Sequence, residues 1–273
     1  VSGPQDGSTG SSATPGTLDL IMARKRRELA ERPPMAPRPR PAARDFAGAL
    51  RSRPRGRPVS VIAEVKRKSP SGGAFPHPDV VAVARAYEAA GASAISVLTD
   101  GPDFGGHLED LVAVRAAVSL PVLRKDFLVA ACEVEESALW GADAVLLIAD
   151  ALEDGELREM LATARAVGVA ALVEAHTEAH AERALAAGAE LVGINNRDLA
   201  TLKTDVGTAL RVMPRLRSRA RALVAESGLK TVTELVAARD AGADAVLVGE
   251  SLLRAVEPGR ALRRLLGEED GSP

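Results

Sequence analysis

The sequence predicts an α/β fold, a (β/α)₈ TIM barrel with an N-terminal helical extension, on three observations. A glycine-led apolar motif occurs four times: GASAISVL from Gly91, GADAVLLI from Gly141, GAELVGIN from Gly188 and GADAVLVG from Gly242. The copies start 50, 47 and 54 residues apart, roughly two strand–helix units, so another strand is expected within each gap. Apolar runs stand there, as PVLRKDF from Pro121, AALVEAH from Ala170 and RALVAESG from Arg221, and VSVIAEVK from Val59 precedes the first copy. Eight strands thus alternate with Ala- and Glu-rich amphipathic stretches. The leading glycine suits a helix C-terminal cap, and an unbroken apolar run suits a strand buried on both faces. An open, doubly wound sheet is the alternative, weakened because no GxGxxG follows the first strand.

The elements follow in order. Residues 1–16 are rich in Gly, Ser and Thr and read as a disordered tail without a secretory signal. Residues 17–32 read as a helix with Leu18, Ile21, Met22 and Leu29 on one side. Five prolines between 33 and 42 forbid a helix there. RSRPRGRP at 51–58 reads as a solvated basic connector. The expected organisation is a tail at 1–16, an extension and connector at 17–58, and a catalytic barrel at 59–268.

Bulk properties narrow the function. Apolar residues make up 46% of 273, enough for a large core. A net charge of −2 gives no reason to expect nucleic acid or an anionic membrane as partner. No apolar run approaches the ~18 residues of a membrane span. One cysteine, Cys132, excludes an internal disulfide and fits a reducing cytoplasm, and it reads as an inert buried thiol. Only six of the 35 basic residues are lysines: Lys25, Lys66, Lys68, Lys125, Lys203 and Lys230. A lysine kept in so arginine-rich a chain suggests a task arginine cannot do, since lysine can shift its pKa and give up a proton.

Barrel enzymes carry their chemistry at the C-terminal strand ends. Those ends hold Glu64, Lys66 and Ser69; Thr99, Asp100 and Phe104; Lys125, Asp126 and Phe127; Leu147 and Ile148; Glu174; Asn195, Asn196 and Arg197; Glu226, Ser227 and Gly228; Gly249, Glu250 and Ser251. Three glutamates and two lysines in one mouth would perturb one another's pKa values and supply acids and bases. Ordinary rim ion pairing explains any one of them alone, but not the constellation. Glycines and hydroxyls after the seventh and eighth strands, with SPSGG at 69–73, suit a phosphate group. Phe104 and Phe127 suit an aromatic or apolar substrate wall. His176 and His180 lie four apart, but no further ligands of a metal site are evident. Trp140 and Tyr87 fall on helices and read as core-facing.

AEVKRKSPSGG (63–73), SVLTD with FGG (96–106), PVLRKDF (121–127), LVEAH (172–176), GINNRDL (193–199), VAESGL (224–229) and VLVGESL (246–252) together resemble the indole-3-glycerol phosphate synthase family. The match runs in order through 59–254, and the helix at 17–32 resembles that family's N-terminal extension. The resemblance implies a carboxy-lyase of tryptophan biosynthesis that closes an indole ring on 1-(2-carboxyphenylamino)-1-deoxyribulose 5-phosphate, with loss of CO₂ and water. It implies no cofactor and no metal, a sugar-phosphate substrate bearing an anthranilate ring, a cytoplasmic setting and passing contact with neighbouring pathway enzymes. Lys125 corresponds to the family's general acid, Glu174 to its general base and Lys66 to the partner of the substrate carboxylate. Glu64 steadies the lysines, and Asn195, Glu226 and Ser227 line the site. Arg197 orients Glu174 or Asn195. The phosphate falls to Ser69, Gly228, Gly249, Glu250 and Ser251, and the ring to Phe104, Phe127, Leu147 and Leu199.

Departures from the family pattern are His107 after FGG, the stretch AACEVEES at 130–137, and the Pro- and Arg-rich segment at 33–58. They leave open a paralogue making the same product in secondary metabolism. Another phosphate-binding barrel, such as phosphoribosylanthranilate isomerase, is a rival, but it is expected to use a cysteine base where this chain has Glu64 and Lys66. A catalytically dead, regulatory barrel is the remaining alternative.

Overall fold

A computed structural model describes residues 16–33, 38–54, 56–70, 72–198 and 201–268. Helix α1 (Thr17–Glu31) and helix α2 (Phe46–Arg51) precede strand β1 (Ser60–Val65). A small hairpin, β2 (Lys68–Ser69) and β3 (Gly73–Ala74), leads into α3 (Val80–Ala89). There follow β4 (Ala94–Leu98), α4 (Gly101–Phe104), α5 (Leu108–Ala117), β5 (Val122–Lys125), α6 (Ala131–Leu139), β6 (Ala144–Ile148) and α7 (Asp154–Ala166). The chain continues with β7 (Ala170–Ala175), α8 (Glu178–Ala186), β8 (Leu191–Asn195), α9 (Gly207–Leu216), β9 (Ala222–Glu226), α10 (Val232–Asp240), β10 (Ala245–Val248), α11 (Glu250–Leu253) and α12 (Pro258–Leu265).

The eight long strands pair in parallel and close in the order β1-β10-β9-β8-β7-β6-β5-β4. This is the (β/α)₈ barrel expected from the repeat. Closure explains the strand composition: one face meets the barrel interior and the other the helices, so alternation of polar and apolar residues disappears. The four repeat glycines end the preceding helices with φ of 87°, 89°, 97° and 108° at Gly91, Gly141, Gly188 and Gly242. A side chain there would be strained in the left-handed region.

The extension spans the barrel from mouth to base. Helix α1 turns Leu18, Ile21 and Met22 inward and lies at the mouth, tied by ion pairs of Arg24 to Asp100 and Asp103 and of Lys25 to Asp126. The connector then passes Trp140, where the Arg38 guanidinium stacks 3.8 Å from the ring centroid. Trp140 is half-buried: it packs against the core as expected and also gives the connector a docking surface, whereas Tyr87 is fully buried. At the base, the Arg44 amide donates to Asp143 and its guanidinium to the carbonyls of Leu120 and Arg115.

Helix α2 was not foreseen. Its six residues bury Phe46 and Leu50 beneath the barrel, and Asp45 caps it by accepting from the Gly48 amide. The basic connector is exposed at 51–54 and at Gly56, as expected, but its end is tied to the barrel. Arg57 bonds the Gly91 carbonyl and Glu268, and Val59 is buried. Cys132 corrects another expectation, because it is exposed on the first turn of α6. Residual burial and the Glu133 carboxylate push its thiol pKa up.

Candidate active site

The pleat decides which side chains reach the barrel mouth. Glu64 and Lys66 stand two residues apart at the end of β1, Lys125 ends β5, Glu174 lies near the end of β7, and Asn195 and Glu226 end β8 and β9. Register places Asn195 beside Glu226 and Ile148 beside Glu174. Two glycines make room for the carboxylates. A Cβ on Gly193 would lie 2.1 Å from Glu226 Oε1, and one on Gly249 would lie 2.5 Å from Glu64 Oε1.

Two ion pairs organise this cluster. Lys66 Nζ donates to Glu64 Oε1 at 2.6 Å. Lys125 Nζ donates to Glu174 Oε2 at 3.3 Å, while Asn195 Nδ2 holds Glu174 Oε1 at 2.8 Å. Burial works against the charge on Lys125, but nearby carboxylates, Glu174 foremost, outweigh it and raise the pKa above the usual ammonium range. Burial likewise opposes ionisation of Glu64, and Lys66 and Lys125 overcome it, lowering its pKa. Glu226 goes the other way. It is buried, neither carboxyl oxygen has a hydrogen-bond partner, and burial together with the Glu174 carboxylate pushes its pKa well up. With Glu226 neutral, the charges of Lys66 and Lys125 are matched by Glu64 and Glu174.

This protonation has a measurable consequence. Between the usual carboxylate value of about 4.3 and the raised native value, the unfolded chain has released the Glu226 proton while the native chain keeps it. The native state then binds more protons, so this residue makes stability fall as pH rises, by at most about 1.4 kcal/mol per pH unit. Glu226→Gln is expected to remove that contribution. Urea unfolding over a pH series checks it, and identical slopes in both proteins would refute a protonated Glu226.

The cluster opens into a cavity of about 580 Å³. One end holds Ser69, Ser227, Gly228, Gly249, Glu250 and Ser251. Ser227 and Gly228 both adopt left-handed backbone, at φ 64° and 83°, and Asn196 Nδ2 anchors the turn by donating to the Ser227 carbonyl. Such strain in a serine is tolerated where the surroundings fix it, commonly at functional sites. Glu250 spans the guanidinium groups of Arg197 and Arg254 at 3.4 Å each. The other end is apolar. Phe104 and Phe127 face each other with centroids 6.0 Å apart and planes tilted 33°, among Leu98, Leu146 and Ile148.

Most residues singled out in the sequence line this one cavity: Glu64, Lys66, Ser69, Phe104, Lys125, Phe127, Glu174, Asn195, Arg197, Glu226, Ser227, Gly228, Gly249, Glu250 and Ser251. Leu147 does not. Its neighbours Leu146 and Ile148 face the cavity, and the pleat turns Leu147 towards the helices. Leu199 lies outside the described residues. Arg197 meets Asn195 through its backbone, whose amide donates to Asn195 Oδ1, and its guanidinium reaches Glu250 rather than Glu174.

Sequence reasoning missed the contribution of the extension: Thr17, Leu18 and Ile21 of α1 line the same cavity. It missed Lys230 and Arg254 beside the glycine-rich end as well. His176 and His180 have separate partners. His176 Nδ1 meets the Asn195 carbonyl at 2.8 Å, and His180 Nδ1 lies 2.7 Å from Asp150.

Comparison with known proteins agrees with this geometry. The family model described as indole-3-glycerol phosphate synthase matches residues 18–265. An indole-3-glycerol phosphate synthase of Geobacillus thermodenitrificans (strain NG80-2) is 47% identical over 257 residues, covering 93% of this chain and 98% of its own. One from Azoarcus sp. (strain BH72) is 49% identical over 230 residues, covering 83% and 87%. One from Mycobacterium avium (strain 104) is 50% identical over 209 residues, 76% of each chain. A crystal structure of 3-hexulose-6-phosphate synthase superposes with a TM-score of 0.63 at 17% identity, covering 77% of this chain and 99% of that one, which speaks to the barrel alone. The family match spans both the α1 extension and the barrel whose strand ends carry the lysine–glutamate cluster, and the chain belongs to the indole-3-glycerol phosphate synthase family.

Proposed function

We propose that this chain converts 1-(2-carboxyphenylamino)-1-deoxyribulose 5-phosphate to indole-3-glycerol phosphate, CO₂ and water, the indole-forming step of tryptophan biosynthesis. The observation that carries the reading is the Lys125–Glu174 pair, set between an apolar aromatic wall and a glycine- and hydroxyl-rich end of one cavity. The substrate has the matching polarity: an aryl ring at one end, a phosphate at the other and a carbonyl between them.

In this reading the phosphate sits at Ser69, Gly228, Gly249, Glu250 and Ser251, and the ring lies against Phe104 and Phe127. Lys66 pairs with the ring carboxylate. Ring closure joins the carboxylate-bearing ring carbon to the ribulose carbonyl carbon, and Lys125 delivers a proton to the carbonyl oxygen as the bond forms. Loss of CO₂ returns its electron pair to the ring and removes the anion that Lys66 had paired. The new hydroxyl then leaves as water, with a proton donated to it by Lys66, while Glu174 takes a proton from the neighbouring ring CH₂, so that the indole double bond forms and the ring N–H is kept. Asn195 holds Glu174 in place for that transfer. Lysine suits both acid positions because, unlike arginine, it can part with a proton.

The proposal takes residues 59–268 as the catalytic unit, with 17–58 completing the mouth and base. It places the enzyme in the cytoplasm, in passing contact with neighbouring enzymes of the pathway. Among the described residues no helix is long and apolar enough to cross a membrane. The test is indole fluorescence on mixing purified protein with the carboxyphenylamino substrate, and with phosphoribosylanthranilate in parallel. Indole formation from the first alone is expected. Turnover of the second alone, or of neither, would overturn the reading in favour of an isomerase or an inactive barrel.

A further inference from the structure

One lysine set apart by composition has no place in the reaction above. Lys25, on α1, is nearly buried, and its Nζ lies 2.7 Å from Asp126 Oδ1 and 4.0 Å from Asp100 Oδ1. Its neighbour Arg24 donates to the same Asp100 Oδ1 at 2.8 Å and to Asp103 at 2.8 Å. These carboxylates have a second task. Asp100 Oδ2 accepts from the Asp103 amide at 3.0 Å, capping the short turn α4 that ends in Phe104. Asp126 Oδ1 accepts from the Phe127 amide at 2.8 Å, and its other oxygen takes Thr99 Oγ1 at 2.6 Å and Arg124 at 3.1 Å. Each wall phenylalanine therefore hangs from a buried aspartate, and the two aspartates are joined through consecutive residues of the extension, through the Thr99–Arg124 contact behind them and through the pairing of β4 with β5.

We propose that Arg24 and Lys25 are positioning residues that set the spacing of the Phe104–Phe127 wall, so that the N-terminal helix determines how tightly the aryl end of the substrate is held. The inference rests on the reading that this wall receives the ring. It explains why position 25 is a lysine. The slot between Asp126 and Asp100, with the Arg24 guanidinium already on Asp100, suits a compact ammonium better than a second planar fork. It also explains why the Leu18 and Ile21 side chains line the cavity from α1: the same helix that aligns the wall closes over it.

The experiment compares Lys25→Met, Lys25→Arg and Arg26→Met in the full chain. Arg26 serves as a control because it ties α1 to the half-buried Glu156 and has no bond to either aspartate among the described residues. Two probes report opposite ends of the cavity: the unreactive alcohol made by reducing the substrate carbonyl, and glycerol 3-phosphate, which has no ring. Calorimetry is expected to show the ring-bearing probe weakened about ten-fold or more in both Lys25 variants, as for loss of one partner of a buried charge pair. Glycerol 3-phosphate should bind all three variants within about two-fold of the parent protein, about 0.4 kcal/mol. In turnover, KM should rise more than kcat falls. Hydrogen exchange should quicken at the Asp103 and Phe127 amides in the Lys25 variants and not in Arg26→Met. Equal weakening of both probes would mean general loosening and overturn the proposal, as would unchanged exchange at those two amides. The exchange result stands even if the parent protein forms no indole, so failure of the functional reading and failure of this inference are told apart.

Discussion

Replacing Lys125 by alanine is expected to lower indole formation by about 10²–10⁴-fold, the range that a positioned proton donor contributes. The same loss is expected of Lys125→Arg. Arginine would keep the positive charge beside Glu174 and could still attract the substrate's anions, but it does not release a proton near neutral pH. The two variants therefore separate electrostatic attraction from proton transfer. The surroundings sharpen the contrast, because the ionised carboxylates of Glu174 and Glu64 favour the ammonium form on Lys125. Alanine removes the cation paired with Glu174 and leaves its buried carboxylate to the Asn195 amide. Lys125→Met, which keeps most of the side-chain volume, should match alanine in rate if the loss is chemical. Steady-state fluorescence with each variant checks the prediction, and substantial turnover by the arginine variant would remove Lys125 from the role of acid.

Much of this was legible in the sequence, for identifiable reasons. A barrel repeats one supersecondary unit, so a repeat spacing announces eight strands before any is located, and buried parallel strands stand out as unbroken apolar runs. Helix ends that need a left-handed residue announce themselves as glycine, as at Gly91 and Gly242. Once strand ends are known, the pleat and the rule for barrel active sites select residues such as Lys66 and Glu174. What escaped was of two kinds. Leu147 was chosen with its neighbour Ile148 although consecutive strand residues face opposite ways, and only one of them can reach the cavity. The roles of α1 and α2 depend on contacts distant in sequence: Lys25 meets Asp126 across 101 positions and Arg44 meets Asp143 across 99. Helical periodicity tells which side of α1 is apolar, but not that its other residues grip the acids behind Phe104 and Phe127. Cys132 was misplaced because one apolar-looking side chain on an amphipathic helix carries no sign of which way it faces.

Glu174→Gln should fail at a different point in the reaction from Lys125→Ala, and that difference is the stronger test of the assigned roles. Glutamine keeps the shape of the side chain and can still accept from Asn195 Nδ2, so the cavity should stay intact. It cannot take the proton from the ring CH₂ beside the hydroxyl-bearing carbon, so dehydration loses its base and steady-state indole formation should fall by about 10²–10⁴-fold. The substitution also removes the nearest negative charge from Lys125, the largest of the carboxylate influences that raise its pKa. Lys125 then becomes the stronger acid, and ring closure, with the CO₂ loss that follows it, should survive. In a single turnover the Glu174→Gln protein is expected to release CO₂ well ahead of indole fluorescence, whereas Lys125→Ala should suppress both together. The order of events makes the two residues distinguishable although they touch each other at 3.3 Å in the resting site. If CO₂ and fluorescence were lost in step in the Glu174 variant, its carboxylate would act before or during ring closure, and the base for dehydration would have to be sought among the remaining ionised groups of the mouth, beginning with Glu64 beside Lys66.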